Sequence, residues 1–361
     1  MEKTLGSARG RAPRSSRGQV LIALLFWILA GAVLALPFLR APWKTNWSAP
    51  DRGRNLETDL PFAEDVANFD REFAGQFASN LADLVRSTSE ADFGASSARL
   101  AESGLVAVER LEAGAQAYLA QCAGCHGRAG DGSGPAAENL APRPRNFRKG
   151  LFKFRSTRTG ERPVRRDLFR TLTNGLSGSA MPSFRLLPEE SRWDLVEYVR
   201  YLAMRGEFEQ MLLDLAWNEE ALPDAAEVAE IVSERWDERN LRSVHPSVVE
   251  KERDRASIER GRALFLDQQR GSCFSCHGPT GRGDGATADD YEDDWGYPIR
   301  PRDFTRGVFR AGSEPGDLYL SIATGIGGTP MGAFEGVLQP SEIWDLVHFV
   351  QFLAAGEQEA K

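Results

Sequence analysis

Apolar side chains recur along this chain at helical intervals, and the same series occurs twice. Ile343, Leu346, Val347, Val350 and Leu353 are spaced to line one helix face, and Leu195, Val196, Val199 and Leu202 hold the matching positions upstream. Pro188 and Pro340 suit the first turn of these helices, and Gly206 and Gly356 follow their ends. Neither copy holds a clear alternating run of β-branched residues, so both read as all-α with long loops. Outside the copies, Phe62, Val66, Phe69, Phe73 and Phe77 form an amphipathic stripe, and a charged helical segment spans about residues 224–240. Each suits packing against a neighbouring domain.

The longest apolar run is residues 20–36, VLIALLFWILAGAVLAL, behind Lys3, Arg9, Arg11, Arg14 and Arg17. It is at the short end for a helix that crosses a bilayer and long for the core of a cleaved signal. Basic flanking residues keep the N-terminus in the cytoplasm and place everything after about residue 40 on the far side. Trp43 and Trp47 suit the interface there. Ala30-Gly31-Ala32 also offers the small residues that a signal peptidase accepts, so a cleaved signal stands beside the anchor as a reading.

Comparing the chain with itself extends the repeat. Glu112-Ala-Gly114 through Tyr118 matches Glu259-Arg-Gly261 through Phe265, and CAGCH (122–126) matches CFSCH (273–277). Asp131-Gly132 and Asp284-Gly285 follow, then Pro144-Arg-Asn-Phe147 and Pro301-Arg-Asp-Phe304. Asp167-Leu-Phe-Arg and Asp317-Leu-Tyr-Leu come next, then Met181 and Met331, then Trp193-Asp-Leu-Val and Trp344-Asp-Leu-Val. Matches in this order mark two copies of one domain. The resulting plan is a basic cytoplasmic lead (1–19), an anchor or signal (20–37) and a helical linker (38–105). A first domain (106–206), a helical connector (207–254) and a second domain (255–361) follow.

Composition narrows the chemistry. A formal charge of −8 argues against a nucleic-acid binder, which needs a basic face to neutralise phosphates. All four cysteines lie in the two pentapeptides, which leaves none for a structural disulfide if both bind a cofactor. On a helical turn Cys122, Cys125 and His126 share one face, as do Cys273, Cys276 and His277. Two thiols can bond the two vinyl groups of a haem while the adjacent imidazole reaches its iron, which is the chemistry of C-x-x-C-H. A zinc ribbon would bring its second cysteine pair within about twenty residues. A thioredoxin-like pair needs no histidine and belongs near a βαβ pattern that is missing.

The sixth iron position has few candidates. Beyond the two motif histidines only His245 and His348 remain: His245 reads as a connector loop residue, and His348, which matches Glu197, as a solvated or capped helical histidine. Met181 and Met331 fall in matching Gly-rich loops, and a thioether is a soft ligand. Met204 and Met211 lie on or after the last helix of the first domain and are backups.

With these residues in view, each copy resembles a class I cytochrome c domain, with a first helix bearing Gly and an aromatic, CxxCH, a Pro-containing loop, a Met loop and a C-terminal helix. The resemblance covers about two thirds of the chain. It implies two covalently bound haem c groups, ligated by His126 and Met181 and by His277 and Met331. It also implies that Gly114 and Tyr118 pack against the helix of Tyr198, and Gly261 and Phe265 against that of Phe349. Pro144 and Pro301 are assigned to hydrogen bonding the proximal histidines through their carbonyls. Two departures stand out: Pro330-Met331 against Met181-Pro182, and an insert from Ala286 to Ile299.

His/Met ligation closes the iron to small molecules, so the expectation is an electron carrier with no small-molecule substrate. The plan is that of a single-pass protein of the bacterial inner membrane, its haem domains facing the periplasm, exchanging electrons with redox proteins or a membrane respiratory complex. A cytochrome subunit of a larger oxidoreductase or terminal oxidase is the alternative, since anchor plus two c domains resembles the dihaem subunit of cbb3-type oxidases. A dihaem peroxidase is a further one, requiring an open iron. Arg143 to Arg166 is strongly basic and Asp289 to Asp294 acidic, so the domains are expected to dock different partners, or each other, through these segments.

Overall fold

The computed structural model describes residues 108–219, 224–246, 253–294 and 296–356, which all belong to one compact unit. The apolar run at 20–36, the linker 38–105 and the Phe62 to Phe77 stripe lie outside the described residues. Among those described, no helix is long and apolar enough to cross a membrane.

The described chain is helical, with isolated bridges and no strands. The first repeat comprises α1 (Val108–Gln121), the short α2 (Ala123–His126), α3 (Arg165–Asn174) and α4 (Glu189–Glu219). A connector helix, α5 (Ala225–Trp236), follows. The second repeat holds α6 (Arg255–Leu266), α7 (Cys273–His277), α8 (Pro315–Thr324) and α9 (Pro340–Ala355). Asp254 caps α6, accepting from the Ser257 amide at 2.6 Å, and Pro340 opens α9, whose first turn holds Glu342 beside the Gln339 cap.

In each repeat the first and last helices cross where a glycine permits it. A Cβ on Gly114 would lie 2.2 Å from the Asp194 carbonyl oxygen, and one on Gly261 2.0 Å from that of Asp345. Backbone therefore meets backbone at both crossings. Aromatic pairs lock them, with Tyr118 on Tyr198 and Phe265 on Phe349, each at 5.3 Å between ring centres. Tyr118, Tyr198 and Leu195 lie in one core, and Phe265, Phe349 and Val347 in a second.

The first repeat departs from its expected end. α4 runs through Gly206 without a break, because this glycine is a close-approach site and not a cap: a Cβ there would meet Arg148 at 2.3 Å. The extended helix carries Phe208 and Leu212 onto α5, where Val228, Val232 and Trp236 complete the first core. Gly356 does follow the end of α9, at φ 74°. Helix α9 stops at its glycine, whereas α4 continues through Gly206.

Two segments expected to be basic and acidic patches meet each other. Lys149 Nζ donates to the Asp294 carbonyl at 3.4 Å, and the Arg143 guanidinium lies 5.1 Å from the Tyr297 ring centre. Other cations of the basic stretch are consumed inside the molecule. Arg148 pairs with Glu209, Arg162 with Glu207, Arg165 with Glu197, and Arg158 with Glu335 of the second repeat.

Candidate haem-binding sites

The first CxxCH turn is placed by the helix before it, whereas the second follows α6 after the turn 267–272. The Cys122 amide donates to the Tyr118 carbonyl at 2.8 Å, so α1 leads directly into the first motif, and the Tyr118 hydroxyl donates to the Gly127 carbonyl beyond it. Cys122 is buried, with Cys125 and His126 half-buried. Cys273, Cys276 and His277 are half-buried on α7.

The two histidines are oriented alike. His126 Nδ1 bonds the Arg145 carbonyl at 3.0 Å and His277 Nδ1 approaches the Arg302 carbonyl at 3.4 Å. The partner is thus one residue beyond Pro144 and Pro301, which corrects the assignment of those prolines: the Pro144 and Pro301 carbonyls instead lie against Gly132 and Gly283. A ring that donates from Nδ1 to a carbonyl leaves Nε2 as the free lone pair for a metal. Phe147 stacks on His126 at 4.4 Å and Phe304 on His277 at 4.5 Å, fixing both ring planes. The repeated Pro-Arg-x-Phe motif was the signal for this contact. Burial holds both imidazoles below their ordinary pKa, in the neutral form that binds metal.

The methionine loops match hydrogen bond for hydrogen bond. Leu176 N donates to the Met181 carbonyl at 3.1 Å, and Ile326 N to that of Met331 at 3.0 Å. Ser179 Oγ accepts from Met181 N at 3.2 Å, and Thr329 Oγ1 from Met331 N at 3.3 Å. Gly175 (φ 67°) and Gly325 (φ 70°) start the loops in a left-handed conformation against their own returning backbones, where a Cβ would be within 2.7 Å. Met331 lines a cavity of about 320 Å³ together with Cys273, Cys276 and His277. The residues that would attach a haem and the candidate second iron donor thus share one cavity.

The remaining candidates are elsewhere. Met204 is fully buried in the first core, Met211 packs against it, and His245 is exposed in the connector. His348 is not solvated: it is fully buried and its Nδ1 bonds Ser257 Oγ at 2.9 Å, pinning α9 to α6.

The donor set fits a covalently held haem better than a thiolate-bound metal. Burial pushes Cys122 up to about 12 and Cys273 up to about 11, so neither thiol is readily ionised, and thioether formation leaves no thiolate to bury. Among the described residues no group of three or more His, Cys, Asp or Glu side chains could hold a metal ion. An iron brought by a porphyrin needs only the axial donors.

Comparison with known proteins agrees. A family model described as cytochrome c oxidase, cbb3-type, subunit III matches residues 109–199, and the cytochrome c model matches residues 258–354. Among solved structures, the chain is similar to one from the Kuenenia stuttgartiensis reducing HAO-like protein complex Kustc0457/Kustc0458. The two are 34% identical, with 67% of this chain and 96% of that one covered and a TM-score of 0.55. No curated protein matches.

Proposed function

Since this chain belongs to the cytochrome c family and carries two such domains in tandem, we propose that it relays single electrons between redox partners, anchored by the apolar run 20–36 with its basic lead in the bacterial cytoplasm and its haem domains in the periplasm. Each haem c supplies a one-electron iron couple. In this reading Cys122, Cys125, Cys273 and Cys276 hold the macrocycles, and His126 and His277 supply the proximal nitrogens. Met181 and Met331 close the distal sides. The chain's own work is to fix those ligands, exclude water and leave no position open for a substrate.

The observation that carries the proposal is the shared lining of one cavity by the second CxxCH and Met331, on a loop that the first repeat reproduces bond for bond. Chain exported in a haem-maturing host is expected to gain the mass of two haems. Met181→Ala and Met331→Ala are each expected to open one iron to carbon monoxide while the parent binds none. A parent that binds carbon monoxide readily would overturn the closed-site reading and favour an enzyme. Retention in the membrane fraction after a high-salt wash tests the anchor, and release would remove it.

A second reading makes the chain a subunit of a larger oxidoreductase. It is favoured by the similar Kuenenia chain, described as belonging to a complex. Purification in mild detergent would distinguish the two: stoichiometric co-purification with an oxidoreductase supports the subunit, and recovery of the cytochrome alone supports the free carrier.

A further inference from the structure

Lys153 of the first repeat lines the cavity that holds Cys273, Cys276, His277 and Met331, beside Arg302 and Arg310 of the second. Lys153 and Arg310 occupy corresponding places, six residues after Phe147 and Phe304. The repeats thus bring equivalent cations together across their boundary. Arg302 Nη2 and Arg310 Nε are buried with no hydrogen-bond partner among the described residues. Asp293 favours the charge on Lys153 and Asp303 that on Arg302, but each is outweighed by burial and by a neighbouring arginine. Both carboxylates have other bonds, Asp293 with the Tyr297 amide and Asp303 with the amide and hydroxyl of Thr305.

The cations also act against one another. Burial, then Arg145 and Arg310, draw Lys153 down to about 8, while burial and then Arg302 lower Arg310. Half-buried charges of one sign gathered on one cavity, two of them with buried unpartnered nitrogens, favour an anion in the space they face. Haem supplies it in its two propionate carboxylates.

We propose that Lys153, Arg302 and Arg310 form a carboxylate site for the propionates of the second haem, so that a lysine of the first domain helps set the potential of the haem held by the other. The inference rests on the dihaem reading above. A cation beside the macrocycle favours the reduced state, which carries one more negative charge. Losing it lowers the midpoint potential.

Spectropotentiometric titration of the full-length dihaem protein tests this, with the second haem's wave identified by its fall in Met331→His. Lys153→Met and Arg310→Gln are each expected to shift that wave down by about tenfold in reduction equilibrium, or about 59 mV for a one-electron couple. The first haem's wave should hold, and Lys153→Arg should restore the parent value, which a packing role would not do. Arg302 is left intact because its carbonyl positions His277. Unmoved second waves in both variants, with two haems retained, would overturn the site and leave the relay standing. A parent chain carrying fewer than two haems would overturn both.

Discussion

The amide of Gly327 donates to the carbonyl oxygen of Lys153 at 2.9 Å, tying the loop that carries Met331 to the opposite domain. The contact has a reciprocal. In the first repeat Gly178, on the loop of Met181, faces Val308 and Arg302, which lie in the segment corresponding to Leu151 and Arg145. Each distal loop thus leans on the other repeat, so docking of the domains and placement of the distal ligands are one structural problem.

Gly327→Ala is expected to loosen this junction. A Cβ there would lie 2.1 Å from the Phe152 carbonyl oxygen, whereas Gly332 in the same loop has nothing within 4 Å of its Cβ position. Overpacking of this kind costs about 1–3 kcal/mol. Denaturant unfolding should show that loss for Gly327→Ala and a near-parental midpoint for Gly332→Ala; equal midpoints would remove the argument.

A second junction is pH-sensitive. Arg170 Nη1 bonds Asp317 Oδ1 across the repeats at 2.8 Å. Burial raises the Asp317 carboxyl above its ordinary pKa and Arg170 opposes the rise. A carboxyl raised on folding binds its proton more tightly in the folded state, so stability declines as pH rises between its unfolded and folded values. Removing Arg170 raises the folded value further. Arg170→Met is therefore expected to cost about 1–2 kcal/mol at neutral pH, between exposed and buried pairs. The loss should shrink as pH falls through the folded value of Asp317, and a loss that grows in acid would contradict the assignment.

Much of this architecture was legible in local pattern. The repeated glycine and aromatic of α1 and α6, the apolar stripes of α4 and α9 and the paired methionine loops depend on residues close in sequence, and their spacing carries the geometry. What failed depends on partners far away. His348 read as a solvated or capped helical histidine because Ser257, its partner, lies 91 residues upstream. Gly206 read as a helix end because glycine at such a place usually is one, and only the approach of Arg148 shows otherwise. The proximal carbonyl was misplaced by one residue, a distinction set by loop torsions that spacing does not encode. Charge alone did suggest the contact between the basic and acidic segments, but not that helix α4 takes up so many of the same arginines.

Gly206 offers a test with two opposed effects. Alanine is favoured over glycine inside a helix by about 1 kcal/mol. Its Cβ would nevertheless stand 2.3 Å from both Cβ and the carbonyl oxygen of Arg148. Backbone atoms cannot swing aside, so the clash should win and Gly206→Ala should be destabilised by about 1–3 kcal/mol. A stabilised variant would mean that α4 and the 147–149 turn can separate freely.

Beside that contact, Arg148 and Glu209 form a buried ion pair, and Arg205 Nε bonds the other Glu209 oxygen at 2.9 Å. Burial holds Arg148 down to about 10 despite the pair. Glu209→Gln removes the one negative charge of the trio and is expected to cost about 3–5 kcal/mol, the range for breaking a buried pair. The damage should be felt at one haem. Arg148 follows Phe147, the ring stacked on His126, so the spectrum and potential of the first haem should change while those of the second hold. Adding Arg148→Met removes a stranded cation and should recover part of the stability; a double variant no better than Glu209→Gln would assign the loss to packing instead of charge.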